Sequence, residues 1–292
     1  MSYILKNNQL EVEIAEPMER YRASRFDHSG NILQVTFEGK HTFCSSEKVM
    51  ISSNHGFGLM NEFDIDEPFS FNGAKAGDYF HKIGVGALLK EEDQSYNFFT
   101  QYANQPLDYL VSMKGADQLI FHAESATIRG MAYQFTKKIT IAGNQLVVEY
   151  QLLNSGSVSF DTSEYGHNFM AVNHRKVDAS YVLKLNQTIL PENFTAAVNL
   201  DVLDIQANEL SWKSVPASDF FISGLSNNQL CKCWSIEHLL EKVGVSEEVD
   251  FECRHMNLWG NAHVVSPELF HKIKLEPNQQ HIWHRSYTFY NL

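Results

Sequence analysis

Two β-rich runs with a period of two, on either side of a Gly-Asn pair, constrain this chain more than any other feature. From Thr136 it reads Thr-Lys-Lys-Ile-Thr-Ile, then Ala142-Gly143-Asn144-Gln145, then Leu146-Val-Val-Glu-Tyr-Gln-Leu-Leu153. A period of two sends successive side chains to opposite faces of a strand, and Gly-Asn between two such runs signals a hairpin. Similar runs occur at Ile32-Leu-Gln-Val-Thr-Phe37, Gln118-Leu-Ile-Phe-His-Ala123, Tyr181-Val-Leu-Lys-Leu185 and Arg285-Ser-Tyr-Thr-Phe-Tyr290. Many short strands at this spacing argue for stacked antiparallel sheets, an all-β chain. One short segment, Ser235-Ile-Glu-His-Leu-Leu-Glu-Lys242, has a helical pattern.

No Pro/Gly/Ser-rich linker, charge block or repeat divides the 292 residues, so residues 1–292 read as a single large β domain. Leu153-Asn154-Ser155-Gly156-Ser157, the nearest thing to a seam, reads as a turn. The formal charge of -12 disfavours nucleic acid and anionic lipid, which call for a cationic surface, and suits a neutral small substrate better. No apolar run approaches the roughly 20 residues of a membrane helix, and the first residues lack the apolar core of a signal peptide, so the expectation is a cytoplasmic protein with no membrane partner. Composition leaves the oligomeric state open. Cys44, Cys231, Cys233 and Cys253 are too few and too irregularly spaced for a disulfide framework and are expected to be reduced structural residues.

Two segments carry candidate chemistry. Glu164-Tyr165-Gly166-His167-Asn168-Phe169 sets an imidazole among aromatic and carboxamide groups at a strand end, and Val264-Val265-Ser266-Pro267-Glu268-Leu269-Phe270 ends an apolar run in a proline that presents Glu268 off the end of a strand. The pair supplies one acid and one base, with Glu164 and then Glu252 as rivals for the carboxylate. Arg25 and Lys82 are candidate substrate contacts because each is a cation in an otherwise apolar or Gly-rich segment. Asn61 and Trp259 join them, the indole because its flat face can stack on a ring. His281 and His284 look ligand-like, but a three-residue offset on a strand turns them to opposite faces, so no catalytic metal is expected.

The run from Ile139 through Asn154-Ser-Gly, followed by Tyr165-Gly-His167-Asn-Phe169, resembles the central signature of the aldose 1-epimerase (galactose mutarotase-like) superfamily. The tail is similar too: Val265-Ser-Pro-Glu268, Ile273-Lys-Leu-Glu-Pro-Asn-Gln, then Trp283-His-Arg-Ser-Tyr287-Thr-Phe289. Tyr21-Arg-Ala-Ser-Arg25-Phe-Asp-His-Ser-Gly30 resembles the opening strand and turn. The resemblance implies a large antiparallel β supersandwich with a sugar-binding groove, a small-molecule sugar as partner and no cofactor. It implies an isomerase that interconverts the α and β anomers of an aldose, with His167 protonating the ring oxygen and Glu268 taking the proton of the anomeric hydroxyl. The Gly-Arg-x-x-Asn-Arg segment and upstream histidine of galactose-specific members have no counterpart in Asn54-His55-Gly56-Phe57-Gly58-Leu59-Met60-Asn61-Glu62-Phe63, so galactose itself is not implied. His55 or His81 could replace that histidine only by a different route. A carbohydrate-binding or regulatory module without turnover is the alternative, and a different isomerisation on the same scaffold is a third, because fold alone does not fix chemistry.

Overall fold

The alternating segments form strands, and the strands form two large sheets. The structure, a computed structural model, describes residues 2–50, 54–226 and 228–292. One sheet runs in the spatial order Tyr3–Lys6, Leu10–Ile14, Ile32–Phe37, Leu59–Phe63, Phe160–Asn168, Val264–Leu275, Met256–Asn261, Phe220–Ser223, Ala196–Val198, with His41–Thr42 paired to its third strand. The other runs Leu203–Gln206, Glu209–Trp212, Tyr181–Leu185, Cys233–His238, Val243–Val249, Gln280–Asn291, Gln145–Asn154, Tyr133–Ala142, Gln118–Glu124, Leu110–Lys114. A small sheet of Tyr79–Lys82, Gly86–Leu89 and Asn104–Pro106 stands apart. Pairing is antiparallel throughout, and the described residues include no α-helix, hence none long enough to cross a membrane.

The hairpin forms as the alternation demands. Tyr133–Ala142 pairs with Gln145–Asn154 in an unbroken ladder, Ala142 opposite Gln145, and Gly143 takes the positive φ of 57° that a tight two-residue turn requires. Its inward residues Phe135 and Tyr150 meet Phe63 and Trp283: Phe63 lies edge-on to Phe135 at 5.5 Å between ring centroids, and Tyr150 stacks on Trp283 at 5.1 Å. Phe63 belongs to the first sheet and the other three to the second, so the core lies between the sheets. All four cysteines are free thiols, and three of them are buried.

The segment with helical pattern is a strand. Cys233–His238 buries every second side chain, Trp234, Ile236 and His238, against the core while Ser235 and Glu237 turn outward. Leu239 and Leu240, in the second half of the segment, form the exposed turn that follows, Leu240 at 78% exposure. A period of two over six residues outweighs two apolar residues left at the surface.

Gly58 fixes how the chain enters the Leu59–Phe63 strand. Its φ is +62°, its N–H donates to the Ser45 carbonyl at 2.7 Å, and a Cβ there would stand 1.9 Å from the Ile32 carbonyl oxygen. Gly58→Ala adds both the left-handed penalty and a backbone collision, and is expected to cost about 2 kcal/mol or more. Urea unfolding measures this; a variant within about 0.5 kcal/mol of the parent, the range of an innocuous surface change, contradicts it.

Candidate functional site

Register decides which side chains share a face. Phe160–Asn168 pairs on one side with Leu59–Phe63, placing Tyr165 opposite Glu62 and His167 opposite Met60. On the other side it pairs with Val264–Leu275, the last paired step being Tyr165 opposite Phe270. Two residues further along each strand stand His167 and Glu268, so the same register makes them neighbours. The next position beyond them faces Pro267, which has no N–H to give, and side chains replace the ladder there: Asn168 donates through Nδ2 to the Pro267 carbonyl at 2.7 Å and through its backbone N–H to Ser266 Oγ at 3.2 Å. Asn257 on the next strand lies opposite Glu268, with Trp259 two residues along on the same face.

That face borders a cavity of about 210 Å3, lined by Arg25, Glu47, Tyr165, His167, Asn257, Trp259 and Glu268 and walled by Phe98, Phe99, Phe169 and Phe221. It is smaller than the roughly 300 Å3 at which drug-sized pockets begin, which favours a single small ring over an extended chain. His167 is nearly buried, edge-on to Phe26 and stacked on Phe169. Its Nδ1 lies 3.0 Å from Glu268 Oε1, but the carboxylate sits off the N–H axis, so the contact is an ion pair without an aligned hydrogen bond. Its Nε2 lies 3.2 Å from Glu62 Oε2 and 3.4 Å from Arg25 Nη2. Burial pushes the imidazole toward its neutral form, yet Glu268 and then Glu62 outweigh this and raise its pKa above 6.5.

Glu62 is fully buried. Its Oε2 accepts from Arg25 Nε at 2.8 Å and from the Tyr165 hydroxyl at 2.7 Å, and Lys82 Nζ lies 3.7 Å from Oε1. Burial alone would raise this carboxyl; Arg25, His167 and Lys82 together hold it well below the usual carboxylate range. Arg25 also donates to Glu47 at 3.3 Å and lies over the Phe26 ring, so its charge is already shared between two carboxylates.

His167, Glu268, Arg25 and Trp259 thus border one cavity, on loops and strands far apart in sequence. Glu268 differs from expectation in place: it lies inside the twelve-residue Val264–Leu275 strand, not off its end. It also stands beside His167 on an adjacent strand, on the same wall of the cavity. Asn61 and Lys82 do not line the cavity. Asn61 shares a strand with Glu62 but points the other way, where it donates to Glu164 and accepts from Lys137 at 3.2 Å and Tyr150 at 2.5 Å. Lys82 is buried behind Glu62, donating to Tyr96 at 2.9 Å and the Asp64 carbonyl at 3.2 Å, and burial lowers its pKa against the pull of Glu62 and Asp64.

The rival carboxylates lie elsewhere. Glu164 faces the space between the sheets, and Glu252 is exposed and paired with Arg254. His81 stacks on Phe69, and neither it nor His55 lines the cavity. His281 and His284 do turn apart: His281 approaches His271 at 2.8 Å, and His284 contacts Asp250 at 2.7 Å and Glu149 at 2.9 Å. Sequence inspection missed Glu62, although an acid inside Leu-Met-Asn-Glu-Phe was a visible signal. It also missed Asn257, whose buried Oδ1 has no hydrogen-bond partner, and loop residues Glu47, Phe98 and Phe99.

No family model matches the sequence, and no curated protein matches it. Solved structures do match along the whole chain. A galactose mutarotase-like protein from Lactobacillus casei superimposes with a TM-score of 0.64 at 11% identity, covering 99% of this chain and 100% of that one. A galactose mutarotase-like protein from Clostridium acetobutylicum gives 0.62 at 12% identity, covering 99% and 95%. A GalM/aldose epimerase homologue from C. elegans gives 0.62 at 9% identity, covering 100% and 99%. With identities this low the likeness is one of architecture: the chain has the galactose mutarotase-like fold, two large antiparallel sheets packed face to face.

Proposed function

We propose that this protein interconverts the α and β anomers of a free aldose. The observation that carries the proposal is the imidazole–carboxylate pair, His167 and Glu268 at 3.0 Å, on the wall of an aromatic cavity sized for one small ring. Opening a cyclic hemiacetal needs a proton removed from O1 and another delivered to O5. Glu268 takes the O1 proton; the O–H electrons become the C1=O1 π bond; the C1–O5 bond breaks toward O5, which receives the proton from the His167 imidazolium. After rotation about C1–C2 the steps reverse, O5 attacks the other face of C1, and both protons return, leaving the enzyme unchanged. Adjacent acid and base suit this exchange because O1 and O5 are bonded to the same carbon. Ser266 Oγ donates to Glu268 Oε1 at 3.2 Å and steadies it. Asn257 Oδ1 offers an acceptor to a sugar hydroxyl, and Trp259 offers a flat face to a pyranose.

The test is anomer exchange of freshly dissolved aldoses, followed by polarimetry or exchange NMR across a panel of sugars. Acceleration by catalytic amounts of protein supports the proposal. Sugar resonances that shift without faster exchange point instead to a binding module. In an active protein, Trp259→Ala loses a stacking contact of about 1 kcal/mol and raises KM roughly fivefold with little change in kcat. An unchanged KM removes the indole from the sugar site.

A further inference from the structure

Two carboxylates flank one imidazole here, and acid–base exchange with the sugar uses only one of them. Glu62 is separated from the cavity by its partners, since Arg25, Tyr165 and His167 all converge on a single oxygen, Oε2. A lone pair on Nε2 would face that oxygen's own lone pairs at 3.2 Å, whereas an Nε2–H would make a charge-assisted hydrogen bond. The competing arrangement, Arg25 Nη2 donating to Nε2, is longer at 3.4 Å and draws on a guanidinium already bound to Glu62 and Glu47. Nδ1 holds no aligned hydrogen bond and lies beside Glu268, which borders the cavity. We infer that Glu62 is the positioning residue of this site: it locks the Nε2–H of His167, so that Nδ1 is the ring nitrogen whose proton moves.

Of the charged groups packed on the ring, Glu268 and Glu62 favour the imidazolium and Arg25 opposes it. Glu62 comes from the Leu59–Phe63 strand, Glu268 from Val264–Leu275, Arg25 from the loop before Ile32–Phe37, and Tyr165 from the ring's own strand; Phe26 and Phe169 supply apolar walls. Lys82 and Arg25 keep Glu62 ionised and so keep its acceptor constant while the ring titrates. The division of labour matches a Ser-His-Asp triad, in which a buried carboxylate holds one ring nitrogen and leaves the other to the reaction. The raised pKa has a signed consequence. The imidazolium's contribution to stability is complete below the unfolded value near 6.5 and is lost as pH rises through the folded value.

The inference rests on the epimerase proposal for its kinetic consequence, but its deciding test does not. In the full chain carrying isotope-labelled histidine, two-bond proton–nitrogen spectra are recorded over roughly pH 5 to 9, with His167 assigned by its loss in His167→Gln. The expected result is that Nε2 keeps its proton throughout while Nδ1 deprotonates as pH rises. Nε2 as the nitrogen that loses its proton overturns the inference, whether or not the protein turns over sugar. In Glu62→Gln the ring's titration midpoint falls, and kcat at neutral pH drops on the order of tenfold or more with KM less affected. Glu62→Asp, which keeps the charge, recovers part of the midpoint. An unchanged midpoint in Glu62→Gln also overturns the assignment. If neither variant folds, the spectrum of the unaltered protein decides alone. The expected spectrum without any anomer exchange instead sinks the epimerase proposal and leaves the ring's anchoring in place.

Discussion

Glu268→Gln slows catalysed anomer exchange by about 10²- to 10⁴-fold, the range for one positioned acid–base group, and His167→Ala does so by a comparable factor. The glutamine is nearly isosteric and still accepts from Ser266 Oγ, so KM is expected to move little while kcat collapses. The two losses do not multiply: removing either group disables the same coupled transfer, and the double variant falls only slightly below the worse single one. Glu268→Gln has a second effect. Glu268 is the strongest of the groups that raise the His167 pKa against burial, so its neutralisation lets the imidazole lose its proton at lower pH. Residual activity in Glu268→Gln therefore declines at lower pH than in the parent as the solution is made alkaline. Polarimetry of a dissolving anomer over a pH series measures both effects, with uncatalysed ring opening as the floor. A Glu268→Gln protein that keeps the parent rate ends the proposed chemistry.

The parts of the fold that repeat every two residues were legible in the chain; the parts that depend on phase or on loops were not. Tyr133–Ala142 and Gln145–Asn154 announce themselves because both faces alternate over ten residues and Gly143-Asn144 closes the turn. His167 was legible from its neighbours. Asn61 and Glu62 show where this fails: both lie in a strand buried on both faces, where no polar side marks the phase, and a one-residue slip exchanges the pocket face for the core. Lys82 was chosen as a cation in an apolar segment, and a cation there serves a buried carboxylate as readily as a ligand. Pro267 reads in the sequence as a strand end, but its missing N–H falls where the ladder to Phe160–Asn168 has already stopped, so the strand carries on through it. Glu47, Phe98 and Phe99 reach the cavity from irregular segments, whose positions no periodicity encodes.

Behind the cavity, Arg285→Leu is expected to destabilise the protein by about 3–5 kcal/mol. Arg285 is buried in the Gln280–Asn291 strand; it reaches across to Glu164 on the opposite sheet, donating through Nη2 at 2.8 Å and Nε at 3.1 Å, and donates through Nη1 at 2.8 Å to Glu247 on the neighbouring strand of its own sheet. Taking charges out of water costs so much that an intact buried pair adds little net stability, but removing one partner leaves the desolvation cost uncompensated. Here two carboxylates lose one cation. Glu247 retains donors in Trp234 Nε1 at 2.6 Å and Asn168 Nδ2 at 3.2 Å, whereas Glu164 keeps Asn61 alone from this network. The larger part of the loss therefore falls on Glu164, and Arg285→Leu combined with Glu164→Leu is expected to regain stability relative to Arg285→Leu alone. Arg285→Lys keeps the charge but cannot make the forked contact, and falls between parent and leucine variant. Urea midpoints of the four proteins test the ordering; an Arg285→Leu midpoint equal to the parent's refutes it. The loss extends to the site because the same network braces it: Tyr287 donates to Asn168 Oδ1 at 2.9 Å, and Asn168 ties the strand of His167 to Pro267, one residue before Glu268. A loosened anchor there lets the imidazole and the carboxylate drift apart, so anomer exchange in Arg285→Leu should fall even at temperatures where the variant remains folded.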